Sequence, residues 1–189
     1  LKEIQSRVKN YVSDGIIKTR GDKEFVDFFV NNSRASLNSA NALFDLSTDK
    51  DMQEKTGYHN FDGFLWVINA SYYSMFYMAR ALLEKEGIKL KSDLSIHAIT
   101  FDALVYFFYL TGKLQKKFIE DFAEAKEDAA ELLGKQKADE LIEEYFFEKG
   151  KRATFTYETG AIVIQSKAKT SLERAKRFNI EIRKMIETD

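Results

Sequence analysis

The sequence contains no cysteine and no proline, and each absence narrows what the chain can be. Without Cys there are no disulfides, no thiolate metal sites and no Cys nucleophile, a composition that suits a cytoplasmic protein. Proline punctuates loops and sandwich turns and costs about 3 kcal/mol inside a helix. Its absence from 189 residues therefore points to long helices joined by short polar connections. Histidine is almost as scarce, leaving His59 and His97 as the two imidazoles. Neither sign of charge is in excess: 29 Lys and Arg nearly cancel 30 Asp and Glu. That balance argues against a DNA-coating protein or an acidic tail and confines any nucleic-acid contact to a local patch. The nine glycines are scattered singly, with no GxxxxGK and no GxGxxG, so nucleotide hydrolysis on a phosphate-cradling loop is excluded.

Two further segments bear on a membrane role, and the expectation is that there is none. Residues Phe64 to Leu83 match a membrane span in length but carry Asn69, Ser71, Ser74, three Tyr and Arg80, which suits a buried helix better than hydrocarbon. Leu1 is not an initiator Met, and the residues after it do not read as the charged then apolar run of a signal peptide. What remains is 44% hydrophobic and 31% charged, an ordinary globular composition. A chain of this length buries roughly 70% of its unfolded surface as a single domain, so no metal or staple is needed for stability.

Helical spacing dominates the pattern. Ile4, Val8, Tyr11 and Val12 mark a short helix that Ser13-Asp14-Gly15 ends, and residues 1–24 read as an N-terminal helical appendage. The stripe Phe25, Phe28, Phe29, Asn32, Ala35, Ser39, Ala42, Leu43 and Leu46, with Asp22 as N-cap, predicts the first helix of a bundle covering 25–189. Ser47 to Asn60 is polar and reads as an exposed loop, with His59 at its end. Phe61, Leu65, Ile68, Tyr72, Met75, Phe76, Ala79, Leu82 and Leu83 form a central helix packed on several sides, closed by a left-handed Gly87. Its Ala70, Ser71 and Ser74 are small enough for close helix approach, a packing role rather than catalysis. Ser92 or Ser95 can cap a third helix that breaks at Thr111-Gly112 and resumes through Leu114, Phe118, Phe122 and Ala125. A short helix is expected around Leu141 to Phe147, ended by Gly150. A last long helix runs from Ala161 through Ile186. The expected fold is all-α, an antiparallel up-down bundle of four main helices with short extras and no strand pairing.

Few residues offer chemistry. The Glu-x-x-His pair of ferritin-like bundles is missing, so no metal site and no cofactor are expected. Glu124, Glu127, Asp128 and Glu131 alternate with Lys and read as a solvated face. His97, beside Ile96 at a helix start, reads as a partly buried structural histidine, and His59 as an exposed one.

The run from Ala70 to Gly87, ASYYSMFYMARALLEKEG, resembles the central helix of the HEPN family of small helical bundles, which often reads AYYAMFHAARALLxxxG. The likeness extends over roughly Phe25 to Asp189 and includes an Arg followed by aromatic positions before the last helix, here Arg152 to Tyr157. The resemblance implies a homodimeric or partner-bound domain, often paired with a minimal nucleotidyltransferase as toxin and antitoxin. Active members resemble metal-independent ribonucleases that use an Arg and a His four to six residues apart. A guanidinium can hold a phosphate and an imidazole can move the proton of a 2′-OH. Here the places for that His hold Tyr157, Glu158 and Thr159. A phenol with an ordinary pKa near 10 is a poor general base at neutrality. The expectation is a nucleotide- or RNA-binding or protein-interaction partner without nuclease activity, with Arg152 and Tyr157 as candidate phosphate contacts. The alternatives are an endoribonuclease using Arg152 with Tyr157 or His97, and a purely helical adaptor. The bland reading of Arg152 and Tyr157 is a cation at a helix C-terminus and a core aromatic.

Overall fold

The computed structural model describes residues 1–91, 95–130 and 154–188, with side chains from 164 onward in the last stretch. The expected short helix around 141–147, Ser92 and Arg152 lie outside the described residues. The described chain is mostly helical.

The first helix, α1 (Lys2–Ser13), stops at the turn that Ser13-Asp14-Gly15 predicts, with Gly15 left-handed at φ 70°. The second, α2, covers Val26–Thr48 and corrects the expected start and phase. Asp22 does not cap it; its carboxylate pairs with Lys89 instead. Phe25 and Phe28 are exposed, and the inward positions are Phe29, Ser33, Leu37 and Ala40. The polar segment expected as a loop contains a helix, α3 (Lys50–Thr56), because both its ends are capped. The Asp49 carboxylate accepts from the Met52 N–H at 3.0 Å, and Gly57 closes it at φ 76°.

The central helix, α4 (Phe64–Lys85), is buried along nearly its whole length and ends, as predicted, before a left-handed Gly87. It packs on α2 and on the last helix, α7 (Thr154–Glu187). That last helix begins earlier than the pattern suggested. Thr and aromatic residues cost only fractions of a kcal/mol in a helix, and no proline interrupts the segment. Between them, α5 (Ile96–Leu104) passes into a π-helical turn over Val105–Tyr109. The chain reverses at Gly112, φ 76°, and α6 runs from 116 through 130. Ser95 occupies the N-cap position of α5 but its side chain makes no capping bond.

Small residues set the contact among α2, α4 and α7. The Ser33 hydroxyl donates to the Ser74 carbonyl and the Ser74 hydroxyl to the Ser33 carbonyl, each at 2.8 Å. The Asn179 side-chain amide donates to the Ser74 hydroxyl at 2.6 Å. Ala40, Val67, Ile68, Ala168 and Leu172 fill the space on one side of this layer. A larger core containing Met75, Leu82, Phe108, Phe122 and Phe178 fills the other.

Residues 1–24, expected as an appendage, share that larger core through Val8 and Ile17. Two-residue strands, β1 (Ile17–Lys18) and β2 (Lys89–Leu90), pair antiparallel with Ile17 opposite Leu90. They are too short to show alternation, which is why no strand pattern is visible in the sequence. Beyond β1 two glycines let the backbones cross: Gly21 N–H donates to the Gly87 carbonyl at 2.8 Å. A Cβ on Gly87 would sit 2.9 Å from the Gly21 carbonyl oxygen. This crossing accompanies a left-handed Arg20, φ 66°, a conformation that costs a non-glycine residue about 1 kcal/mol.

Arg7 ties α1 to α5 by a bidentate pair with Asp102, at 2.7 and 2.8 Å. The carboxylate is buried at 4% exposure, whereas the guanidinium is about half exposed at 46%. Arg7→Ala is therefore expected to cost about 2 kcal/mol, because it strands a buried charge. Asp102→Ala should cost less, since Arg7 can return to water. Urea unfolding of both variants checks the order.

Candidate functional site

Of the candidate site residues Arg152, Tyr157 and His97, His97 is the one whose side chain is described. It is the second residue of α5, half-buried against α4. Its Nδ1 lies 2.8 Å from the Tyr72 hydroxyl. Its ring sits 4.3 Å from Phe76 and meets the edge of Tyr73 at 5.7 Å. Tyr72 in turn stacks on Phe122 of α6, with ring centroids 6.1 Å apart.

The electrostatics of this cluster fix its protonation. Burial, then the nearby charges of Lys126 and Arg80, hold His97 below its ordinary pKa. Burial raises the Tyr72 phenol well above its own. The imidazole is thus neutral and the phenol protonated, and the tautomer of His97 sets which of the two donates in the bond between them. Arg80 lies half-buried, its guanidinium 4.7 Å from the Phe29 ring centroid, and burial lowers its pKa. The arrangement joins α4, α5 and α6 through a hydrogen bond inside an aromatic stack. Nδ1 is engaged by Tyr72.

Tyr157 lies on α7, but its side chain, like all of Arg152, falls outside the described residues. His59 is exposed between α3 and α4, as expected.

The acidic face of α6 is a correction. Asp121, Glu124 and Asp128 do not simply face water; they surround Arg174 of α7, whose side chain is 9% exposed. Arg174 donates to Asp128 at 3.0 Å and to Glu124 at 2.5 Å, with Asp121 3.5 Å away. Lys167 adds a second cation on Asp128 at 3.1 Å. Spacing of three and four residues places these acids along one edge of α6, flanking the stripe Phe118, Phe122 and Ala125. That flank was the readable signal; the arginine answering it lies 46 residues beyond Asp128. Glu127, Ser166 and Thr170 complete an open cleft of about 560 Å³ beside the network.

Among the described residues, no group of three or more His, Asp or Glu is placed to hold a metal ion, and no helix is long and apolar enough to cross a membrane. Comparison with protein-family models, curated proteins and solved structures returns no match to this chain.

The neutral histidine makes stability depend on pH. In the unfolded chain an imidazole titrates near pH 6.5, and in the fold His97 titrates lower. Between the two values the unfolded state binds more protons, so stability rises with pH. The contribution of His97 is complete above about pH 6.5 and is lost as the pH falls through the folded value. His97→Asn keeps an acceptor near Tyr72 and removes the titration. Urea midpoints measured from about pH 7.5 to about pH 5 should fall more steeply for wild type than for this variant.

Proposed function

We propose that the chain is a HEPN-like domain that works as a nucleotide- or RNA-binding or protein-interaction partner without cleaving RNA. Its place is beside a minimal nucleotidyltransferase, in a cytoplasmic pair of the toxin-antitoxin type. The observation that carries the reading is the lack of an imidazole at the spacing the resembled ribonucleases use. There a His four to six residues after the Arg moves the substrate proton, whereas here those places hold Tyr157, Glu158 and Thr159, and the Nδ1 of His97 is bonded to Tyr72. In this reading α2, α4, α6 and α7 are the four main helices, running alternately up and down. The contact order supports those directions: Asp121 pairs with Arg177 and Asp128 with Lys167, so α6 and α7 run in opposite senses. The central-helix pattern supports the family, and the buried course of α4 suits it.

The test is incubation of the purified protein with a mixed cellular RNA pool in EDTA, followed by binding measurements on the same RNA. Folded wild type should leave the RNA intact. RNA or nucleotide binding should weaken in Arg152→Ala and fall steeply with salt. Cleavage that disappears in Arg152→Ala would overturn the reading in favour of an endoribonuclease, with Tyr157→Phe and His97→Asn then identifying the second group. Binding indifferent to Arg152→Ala would move the reading to a protein adaptor.

Association with a second copy belongs to the same proposal. Phe28, Trp66 and Ile180 are each more than half exposed, at 56%, 59% and 59%, and supply apolar surface for it. Light scattering at micromolar concentration should give the mass of a dimer; a monomer removes dimerisation from the proposal.

A further inference from the structure

Two backbone irregularities meet at one cleft. Arg20 is held left-handed at φ 66°, and the π-helical turn Val105–Tyr109 supplies Phe107 and Phe108. Residues with positive φ and π-helical turns both concentrate at functional sites, because each re-aims side chains at the expense of local stability. Here they line the same open cleft of about 290 Å³, together with Thr19, Glu86 and Lys113.

The chemistry of the lining is specific. Arg20 and Lys113 bring two cations and Glu86 one carboxylate, so the cleft carries an excess of positive charge. Lys113 is partly answered by Glu86, at 3.6 Å, while Arg20 makes no ion pair among the described residues. The Arg20 side chain is exposed, so its five donors are free for a ligand. Below the charges the floor is apolar: Phe108 is buried, Phe107 is half-buried, and Ile88 is buried beside them. A cleft of this size holds one ring with a charged head.

The position of Arg20 adds to the argument. The Gly21–Gly87 crossing and the β1–β2 pairing fix the backbone on either side of it. Glycine would hold that left-handed conformation without strain. An arginine there contributes no contact that stabilises the fold among the described residues; what it contributes is a fork of donors at the mouth of the cleft.

We propose that this cleft binds a small organic anion, a carboxylate or phosphate monoester attached to a flat apolar body. The head lies between Arg20 and Lys113, with the Thr19 hydroxyl as a further donor, and the body rests on Phe107, with Phe108 beneath it. The site uses neither Arg152 nor His97 and stands independently of the function proposed above.

The experiment is calorimetric titration of the full chain with four probes: benzoate, phenyl phosphate, inorganic phosphate and benzyl alcohol. Benzoate or phenyl phosphate should bind wild type with a dissociation constant of about 1 mM or tighter, and which of the two is tighter distinguishes a carboxylate from a phosphate head. Inorganic phosphate and benzyl alcohol each lack half of the recognition and should bind at least about tenfold more weakly. Arg20→Gly should weaken the better probe by about tenfold without lowering Tm, since glycine relieves the left-handed strain. Lys113→Gln should weaken it comparably, and Lys117→Gln, at an exposed position of α6, should leave it unchanged. Three outcomes would overturn the proposal: no heat from either aromatic anion at about 10 mM, retention of full affinity in both Arg20→Gly and Lys113→Gln, or inorganic phosphate binding as tightly as phenyl phosphate.

Discussion

Two helices in this protein, α2 and α4, approach closely enough for serine hydroxyls to reach each other's main chain, and a third, α7, joins them through Asn179. The reciprocal bonds between Ser33 and Ser74, with Asn179 donating to the Ser74 hydroxyl, form inside the core where an unpaired hydroxyl costs about 1–3 kcal/mol. The penalty for misalignment therefore exceeds the modest net gain of each bond. Sliding α2 or α7 by one turn would leave these groups buried without partners, so the layer sets register as well as contributing stability. With α4 fixed in rotation, Tyr72 is aimed at α5 and α6, where it meets His97 and Phe122. Phe64 is aimed at Phe44 of α2, with ring centroids 5.9 Å apart. The aromatic cluster around His97 is thus a downstream consequence of two serines and an asparagine.

What the sequence made legible divides along the range of the interaction responsible. The left-handed Gly87, the reversal at Gly112 and the stop after Ser13 were readable because backbone conformation at a glycine or a turn is decided locally. The phase of α2 was not. Phe25, Val26, Phe28, Phe29 and Val30 place apolar residues on most faces of one turn, and the tie is broken by Ser33 meeting Ser74, 41 residues away. The helix α3 was hidden for a different reason. It buries little besides Gln53, whose amide bonds the carbonyls of Leu46 and Phe61, so no apolar stripe announces it. Its caps, Asp49 and Gly57, were the available signal. The half-buried state of His97 followed from the apolar residues beside it, whereas its partner Tyr72, 25 residues back, required the fold. The acids on α6 misled because charge alternation looks alike whether it faces water or a buried arginine on another helix.

The arginines show how the fold distributes the cost of its charges. Arg174 and Arg7 meet carboxylates, Arg80 rests over an aromatic ring, and Arg20 is left to solvent at the mouth of a cleft. A formal net charge of −1 means the molecule as a whole exerts almost no field on an approaching ion. Beyond a Debye length of about 8 Å at physiological salt, the individual charges are screened as well. Long-range steering therefore contributes little to recognition of an anion by this chain, and selectivity has to arise from contact. The network around Arg174 offers little for such contact, because its cation is already matched by three carboxylates. An unmatched guanidinium above an apolar floor offers it directly. Short-range pairing and ring burial then act together, so a ligand that lacks either the charge or the flat body loses the larger part of its affinity.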